Sequence, residues 1–170
     1  MVVRNEGSKF LNKVLQKHKN YIDSAVIIDD GNTDDSIEIC KSVLRNVRLT
    51  IVNNNVSRFS NEVELRKQQW QITIQEDPNW ILNLDADEMF EDKFEEEIHH
   101  LLKLKQYTTM CFPLYDMWDA DHYREDEYWF AHKTYRPFIT RYFPEMNYEW
   151  LNEKQHCDVY QKIYWKLVKI

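Results

Sequence analysis

Residues 25–32 read AVIIDDGN, four apolar residues that run directly into two carboxylates, a glycine and an amide. A continuous apolar run of this length is typical of a strand buried on both faces of a sheet. Helical patterns flank this run, with apolar residues one turn apart in 10–15 and in 37–44. Short apolar strands that alternate with amphipathic helices indicate βαβ units. We therefore expect an α/β fold with a mostly parallel central sheet and helices on both faces.

The same alternation continues on both sides of this stretch. Residues 1–4 are predicted to form a first strand, and residues 47–51 alternate apolar and polar, as expected of a strand at the edge of a sheet. Apolar spacing predicts a helix over 60–76, ended by an Asp-Pro pair. Residues 80–88, WILNLDADE, repeat the pattern of an apolar strand that ends in acids. Thr33 is the expected N-cap of the helix that follows the first acidic pair.

The aromatic residues are concentrated in the last 65 positions, where helical periodicity fails. A chain of 170 residues suits one domain. We expect a single domain over 1–170, in which residues 1–105 form the α/β half. Residues 106–170 are expected to add short strands and loops that pack over one end of the sheet.

Composition excludes several classes of protein. The net charge of -7 argues against a nucleic-acid surface, which needs clustered positive charge. Only two glycines occur, so neither a G-x-G-x-x-G dinucleotide loop nor a Walker loop is present. The three cysteines at 40, 111 and 157 form no C-x-x-C pair, as expected of buried thiols in a reducing compartment.

No apolar run reaches the length of a membrane span or a signal peptide, so we expect a cytoplasmic protein. Lysines alternate with apolar residues near the C-terminus, at Lys162, Lys166 and Lys169. This pattern suits either a packed closing element or peripheral contact with the inner surface of a membrane.

Two acidic clusters follow predicted strands, Asp29-Asp30 and Asp85-Ala86-Asp87. Parallel strands deliver the residues that follow them to one edge of the sheet, where ligands of open α/β folds bind. Neighbouring carboxylates repel each other unless a cation lies beside them. Oxygen ligands without a His or Cys pair favour Mg²⁺ or Mn²⁺, which proteins hold with one or two carboxylates together with phosphate oxygens. The clusters therefore indicate a cation and a pyrophosphate at this edge.

Structural explanations of the same residues stay open. Asp85 and Asp87 also suit a capped turn before the next helix, and Asp29 and Asp30 suit a turn before the helix that follows them. A calcium loop starting at Asp30 is excluded, because Asp35 stands at the glycine position and Lys41 at that of the bidentate glutamate.

Three stretches, residues 2–6, 27–34 and 80–88, resemble the ordered motifs of family 2 glycosyltransferases with the Rossmann-like GT-A fold. The resemblance covers about the first hundred residues and places a D-x-D motif at Asp85 and Asp87. Residues 116–118, 123–126 and 128–129 are also similar to bacterial members. Asn32 stands where a serine is common in the family. The resemblance implies transfer of a sugar from a nucleotide-diphosphate sugar to the hydroxyl of a saccharide or other acceptor, with inversion.

The resemblance also implies roles for individual residues in a donor half, 1–105, and an acceptor half, 106–170. Asp30 is expected to bind the base or ribose in a pocket shared with Asn5 and the Val3 backbone. Asp85 is expected at the ribose and, with Asp87, at the metal. The remaining expected contacts are Arg66 or Arg58 at the nucleotide or its phosphates, and His156 at the metal or the diphosphate.

A carboxylate general base must take the proton of the acceptor hydroxyl. Asp126 is the first candidate and Asp116 the second. The aromatic residues Trp118, Tyr128 and Trp129 are expected to stack on apolar faces of the acceptor.

Three other functions compete with this hypothesis. A sugar-nucleotide-forming nucleotidyltransferase normally has a glycine-rich basic loop, of which residues 4–7 are a poor version. An aspartyl phosphatase is disfavoured because Met89 stands where Thr or Val normally follows the D-x-D loop, which also comes late in the chain. A non-catalytic domain that binds sugar nucleotides fits if no carboxylate of 110–130 approaches the metal.

Overall fold

The computed structural model describes residues 1–119 and 121–148, together with the backbone of a strand at 167–169. A single 3₁₀ turn at Ala131–Lys133 precedes the sixth strand. In chain order the elements are β1 (Val2–Val3), α1 (Leu11–His18), β2 (Ser24–Asp29), α2 (Ser36–Val43), β3 (Arg48–Asn53), α3 (Glu62–Ile74), β4 (Trp80–Leu82), α4 (Asp92–Leu101), β5 (Thr109–Pro113), β6 (Tyr135–Arg141) and β7 (Leu167–Lys169).

The first sheet is parallel and has the order β1-β2-β3. Strand β2 pairs with β3 along its whole length, from Ser24 opposite Arg48 to Asp29 opposite Asn53. Strand β1 pairs with β2 only at Val2 and Val3. Strand β3 lies at the edge of this sheet, as its alternating sequence predicts.

The second sheet has the order β4-β6-β5-β7 and mixed directions. Strand β6 runs antiparallel to both β4 and β5, so β4 and β5 point the same way. The sequence suggests a parallel neighbour for β4, and the structure pairs it with antiparallel β6 instead. The difference arises because β6 comes from the aromatic segment, where periodicity gives no information on pairing.

Helices cover both faces of the strands. Ile27 packs with α1 and α2 in a cluster that includes Leu11 and Leu15. Its neighbours Val26 and Ile28 pack on the other face, against Leu65 of α3. Successive residues of a strand point to opposite faces, so a strand between two helical layers must be apolar throughout. The expected α/β architecture with helices on both faces is confirmed.

The same two layers extend over the second sheet. Ile81 of β4 packs against Trp70 of α3. Leu84, just beyond the strand, packs with Phe94 and Ile98 of α4. Of the predicted buried thiols, Cys40 and Cys111 are free and buried, whereas Cys157 lies outside the described residues.

The predicted N-cap at Thr33 is wrong. Helix α2 begins at Ser36 with Asp35 as N-cap. The Thr33 amide donates instead to Asn5 Oδ1 at 2.8 Å, and the Ser36 amide donates to Asp34 Oδ1 at 3.1 Å. A long-range contact therefore fixes Thr33 in the loop, and the helix starts later.

Within the described part of the chain, no helix combines the length and the apolar character needed to cross a bilayer.

Candidate functional site

The carboxyl ends of β1, β2 and β3 meet at one edge of the parallel sheet, because the three strands run in the same direction. The segments that leave this edge begin at Arg4, Asp30 and Asn54. Ligands of open α/β sheets bind at such an edge. The residues that follow these three strands therefore form the centre of the candidate site.

The turns after β1 and β2 are tied together through Asn5 and Asn32. The Asn5 amide donates to Asn32 Oδ1 at 2.6 Å, and Asn32 Nδ2 donates to Val3 O at 3.0 Å and to Asp29 Oδ1 at 2.6 Å. Asn5 has a φ of 53°, in the left-handed region that Asn tolerates better than most residues. The Asn32 side-chain amide thus links both turns. A serine, which is common at this position in the resembling family, has a single O–H donor and cannot make both of the bonds that Asn32 Nδ2 donates.

Asp30 is fully buried, and both of its carboxylate oxygens accept hydrogen bonds from protein groups. Ser57 Oγ donates to Oδ2 at 2.6 Å, Asn54 Nδ2 donates to Oδ1 at 3.0 Å, and the Arg58 amide donates to Oδ1 at 2.9 Å. Burial alone raises the pKa of Asp30, but the bonds from Ser57, Arg58 and Asn54 outweigh burial and hold the pKa below its usual range. A nucleotide reaches this carboxylate only if the loop of Ser57 and Arg58 gives up a bond.

Arg66, in the second turn of α3, forms an ion pair with Asp85. Arg66 Nη2 donates to Asp85 Oδ1 at 2.8 Å and to Glu62 Oε1 at 3.2 Å. The Arg66 side chain is 11% exposed and that of Asp85 is 50% exposed. Burial lowers the pKa of Arg66, but the charges of Asp85 and Glu62 outweigh burial and raise the pKa above its usual value. Two residues predicted from the sequence to contact the nucleotide therefore lie in direct contact with each other.

Helix α3 also holds the first acidic cluster. Gln68 Nε2 donates to Asn54 Oδ1 at 2.8 Å, and Asn54 Nδ2 donates to Gln68 Oε1 at 3.1 Å. Asn54 is in turn a donor to Asp30. Gln68 and Arg66 are two residues apart, so one stretch of helix anchors both the Asp30 cluster and the Asp85 cluster. The structure thus ties each predicted acidic cluster to α3, through Gln68 for Asp30 and through Arg66 for Asp85.

Asp87 lies exposed in the loop after β4, and Glu88 folds back over the start of that loop. Glu88 Oε2 accepts the Asp85 amide at 2.8 Å. Burial raises the pKa of Glu88 to about 7, and the charges of Asp85 and Asp87 act in the same direction. Glu88 is not among the site residues predicted from the sequence, although an acid three residues after Asp85 has the spacing of a capping box.

The described part of the chain contains no preformed metal cage. No group of three or more His, Cys, Asp or Glu side chains forms a ready cage among the described residues. A hard divalent cation needs only one or two carboxylates when phosphates supply further oxygens, and the exposed Asp87 beside Asp85 matches that donor set. His156 lies outside the described residues.

The aromatic segment after β5 leaves the sheet at the same edge as the loop of Asp85 and Asp87, because β4 and β5 point the same way. It folds back on itself through a bridge between Met117 and Tyr123. The Arg124 amide donates to Asp116 O at 2.7 Å. Both halves of the chain therefore meet at one edge.

Asp126, the first candidate for the general base, is bonded to its own segment. Arg124 Nε donates to Asp126 Oδ2 at 2.7 Å, and the Tyr128 amide donates to Oδ1 at 2.8 Å. The hydrogen bond from Arg124 holds the pKa of Asp126 below its usual range. The carboxylate is therefore ionised at neutral pH, and it is a weaker base than an unperturbed aspartate. The second candidate, Asp116, is half-buried.

Two of the three predicted stacking residues are open to solvent. Trp118 is 74% exposed and Tyr128 is 79% exposed. Trp129 is half-buried, with the Arg124 guanidinium 4.7 Å from its ring centroid. Trp118 and Tyr128 are therefore accessible from solvent, whereas the Trp129 ring packs against the Arg124 guanidinium.

Comparisons with known proteins bear on the fold. A scan against protein-family models and a search of curated proteins gave no match. Among solved structures, S. aureus TarS is similar with a TM-score of 0.55 and 13% identity, over 66% of this chain and 20% of the TarS chain.

Residues 1–349 of S. aureus TarS match in two complexes. The complex with UDP has a TM-score of 0.54 and 12% identity, over 66% of this chain and 34% of that one. The complex with UDP-GlcNAc has a TM-score of 0.54 and 13% identity, over 66% and 33%. The chain therefore spans between 20% and 34% of the length of these TarS chains. At this identity the likeness establishes a shared fold, in agreement with the Rossmann-like α/β architecture described above.

Proposed function

We propose that the protein transfers a sugar from a nucleotide-diphosphate sugar to an acceptor hydroxyl, with inversion. The observation that carries the proposal is the anchoring of both acidic clusters on α3, through Gln68 for Asp30 and Arg66 for Asp85. The order of motifs resembles that of family 2 glycosyltransferases, and the similar TarS structures include complexes with UDP and UDP-GlcNAc.

In this proposal the nucleotide lies across the turns after β1, β2 and β4. Asn5 and the Val3 backbone line the base pocket, and Asp30 meets the base or ribose after the loop of Ser57 and Arg58 moves. Asp85 meets the ribose while Arg66 holds its other side. The fixed Arg66 also offsets part of the acidic charge that would otherwise repel a diphosphate.

Asp87, with Asp85, would hold Mg²⁺ or Mn²⁺. Such a cation, when bound, stabilises negative charge on the leaving diphosphate as a Lewis acid. The exposure of Asp87 supports this role, because a carboxylate that shares its cation with phosphates must face the ligand.

The acceptor half supplies the base and the platform. Asp126 takes the proton from the acceptor hydroxyl as the oxygen attacks the anomeric carbon from the face opposite the diphosphate, with Asp116 as the second candidate. Trp118 and Tyr128 stack on apolar faces of the acceptor. Both aromatic residues lie in the segment that follows β5, and this segment leaves the second sheet on the same side as the Asp87 loop. This arrangement supports a shared reaction centre.

A thermal-unfolding experiment with UDP tests the donor site. At a UDP concentration about a hundred times the dissociation constant, binding raises the melting temperature by about 5–10 °C. We expect this increase to require Mn²⁺ and to disappear in Asp87→Ala. The matched control is Asp92→Ala, which removes an exposed carboxylate outside the loop and keeps the increase. Indifference of the wild type to UDP with Mn²⁺ would overturn the proposal.

Turnover separates a transferase from a domain that only binds. The wild type with UDP-GlcNAc and Mn²⁺ should release UDP slowly by hydrolysis, even without an acceptor. Binding of UDP-GlcNAc with no release of UDP, in the presence of saccharide acceptors, supports the non-catalytic alternative.

A further inference from the structure

The connection between β5 and β6, residues 114–134, contains a histidine whose side chain is buried. The His132 side chain is 7% exposed, and neither of its ring nitrogens has a hydrogen-bond partner among the residues that the structure describes. Buried polar groups are bonded in most folded proteins, so this histidine requires an explanation. His132 Nε2 lies 3.6 Å from Glu125 Oε1, just beyond hydrogen-bond distance. The imidazole therefore faces a carboxylate without being bonded to it.

Glu125 is held loosely and is open to solvent. Tyr123 Oη donates to Glu125 Oε2 at 3.3 Å, a long distance for a bond between a hydroxyl and a carboxylate. The Glu125 side chain is 57% exposed. An ionised carboxylate can accept more bonds than this one, and contacts in a site without its ligand often shorten when the ligand binds. Glu125 therefore has acceptor capacity for a ligand, with His132 behind it.

The neighbouring carboxylate of Asp126 has different surroundings. Both of its oxygens accept hydrogen bonds within the same segment, from Arg124 Nε and from the Tyr128 amide. Two carboxylates with different surroundings suit different roles in one reaction. The role of general base proposed for Asp126 leaves Glu125 for the binding of the acceptor.

Two tyrosine rings border the pair formed by Glu125 and His132. The rings of Tyr115 and Tyr123 meet edge to face, with their centroids 4.9 Å apart. The His132 ring centroid is 5.6 Å from that of Tyr123 and 6.2 Å from that of Tyr115. Both tyrosines are exposed. An aromatic ring packs on the apolar C–H face of a sugar while a carboxylate accepts its hydroxyl groups, so the combination suits a saccharide.

Charge limits the kind of saccharide that this connection can bind. Residues 114–134 contain six acidic and two basic residues. Of the two basic residues, Arg124 forms an ion pair with Asp126, and Lys133 Nζ lies 5.6 Å from the centroid of the Phe130 ring. Like charges repel, so the connection disfavours a glycan that carries phosphate, sulfate or carboxylate groups.

We propose, on the basis of the proposed function, that Glu125 binds hydroxyl groups of a saccharide acceptor without acidic groups, and that His132 is the positioning residue for the Glu125 carboxylate. When the hydroxyls of the acceptor bond to Glu125, the carboxylate moves against His132, whose Nε2–H then donates to Oε1. The buried imidazole thereby gains the partner that it lacks among the described residues. Binding of the acceptor and pairing of His132 therefore reinforce each other.

An array of immobilised oligosaccharides tests this proposal with the whole chain in UDP and Mn²⁺. The array holds neutral glycans, glycans with free amines, and anionic glycans that carry sulfate, phosphate or sialic acid. We expect binding to at least one glycan without acidic groups, about tenfold or more stronger than to its anionic counterpart. Binding to anionic glycans only, or to no glycan, would overturn the proposal.

Variants of the acidic residues test the contact with the acceptor. Glu125→Gln should weaken binding to the preferred glycan about tenfold or more, because the bond from a hydroxyl to a carboxylate is charge-assisted. The matched control is Glu127→Gln, which removes an exposed acid two residues away and should change binding less than about twofold. Equal effects of the two variants contradict the role given to Glu125.

Variants of His132 test its positioning role. His132→Phe keeps a ring in the buried position but removes the donor, and we expect it to weaken binding about fivefold. His132→Gln restores an N–H donor and should return binding to within about twofold of the wild type. Equal losses in the two variants contradict positioning through a hydrogen bond.

Thermal unfolding with UDP separates this proposal from the proposed function. All four variants should keep the increase in melting temperature that UDP and Mn²⁺ cause, because the donor half is unchanged. A wild type that is indifferent to UDP contradicts the proposed function. A wild type that responds to UDP but binds no glycan contradicts the acceptor site alone.

Discussion

Arg66 joins two parts of the site, since one guanidinium contacts Glu62 in its own helix and Asp85 after β4. A lysine ammonium keeps the charge but cannot hold both carboxylates with a planar fork. We expect Arg66→Lys to lower the free energy of unfolding by about 1 kcal/mol and Arg66→Ala by about 2 kcal/mol, less than for a fully buried pair because Asp85 is half exposed. Urea denaturation measures both.

The control for Arg66 is the exposed pair of Lys93 and Glu97 on α4. Lys93→Ala should change the free energy of unfolding by less than about 0.5 kcal/mol, as is usual for a surface pair. An Arg66→Ala protein as stable as the wild type contradicts the structural role given to the ion pair.

Glu88 gives the protein a specific dependence on pH. Its pKa is about 7 in the folded state against about 4.5 in the unfolded chain. Between these values the folded state keeps a proton that the unfolded state has lost, so stability falls as the pH rises through this window. We expect the free energy of unfolding of Glu88→Gln, relative to that of the wild type, to rise by about 2 kcal/mol as the pH increases from about 5 to about 8. Urea denaturation of both proteins in EDTA measures the difference.

The comparison of variant and wild type at each pH isolates Glu88. Burial lowers the pKa of His18 to about 4, which acts in the opposite direction but equally in both proteins. A constant difference between the two proteins across the pH range contradicts the burial-raised pKa of Glu88.

For individual residues, the sequence predicts which acids belong to the candidate site but not which groups form hydrogen bonds with them. Acids at strand ends single out Asp30 and Asp85, although β4 belongs to the second sheet and α3, rather than a shared parallel sheet, links the two residues. The pattern does not show that Ser57 and Arg58 already bond to Asp30, since that contact depends on how the loop after β3 folds. Glu88 is not predicted, because its raised pKa results from burial, which the spacing of acids in the sequence does not reveal.

Helix α3 depends on its N-cap for the position of Arg66. Asn61 Oδ1 accepts the Glu64 amide at 3.4 Å. We expect Asn61→Ala to lower the free energy of unfolding by about 0.5–1 kcal/mol, with Asn61→Asp as the control that keeps an acceptor. Thermal and urea unfolding measure the effect, and a loss in Asn61→Asp equal to that in Asn61→Ala contradicts the cap.

Helices and strands are predicted correctly where a strand is buried on both faces or where apolar residues recur at helical spacing. Strand β2 and helices α1 and α4 lie where apolar runs and helical spacing place them. The pairing of β4 with β6 does not follow, because more than fifty residues separate the two strands and β6 lies in the aromatic segment, where periodicity fails. Long-range antiparallel pairing is decided by tertiary packing rather than by local preference.

The proposed function divides binding from chemistry within the molecule, with nucleotide contacts expected in residues 1–105 and the candidate bases in the aromatic segment. Under the proposed function, Asp126→Asn should lower kcat about a hundredfold or more and change the affinity for UDP less than twofold. Asp116→Asn is the matched comparison, and a steady-state assay of UDP release together with titration of UDP separates the two effects. A larger loss in Asp116→Asn would transfer the role of base to Asp116.

Arg66 and Gln68 lie on one helical turn of α3, and each residue holds a different acidic cluster. We expect a rotation of this helix to move both clusters, so that strain at one cluster is transmitted to the other. Under the proposed function, we expect a ligand that contacts both clusters to stiffen this end of the sheet more than a free nucleoside or an isolated pyrophosphate does.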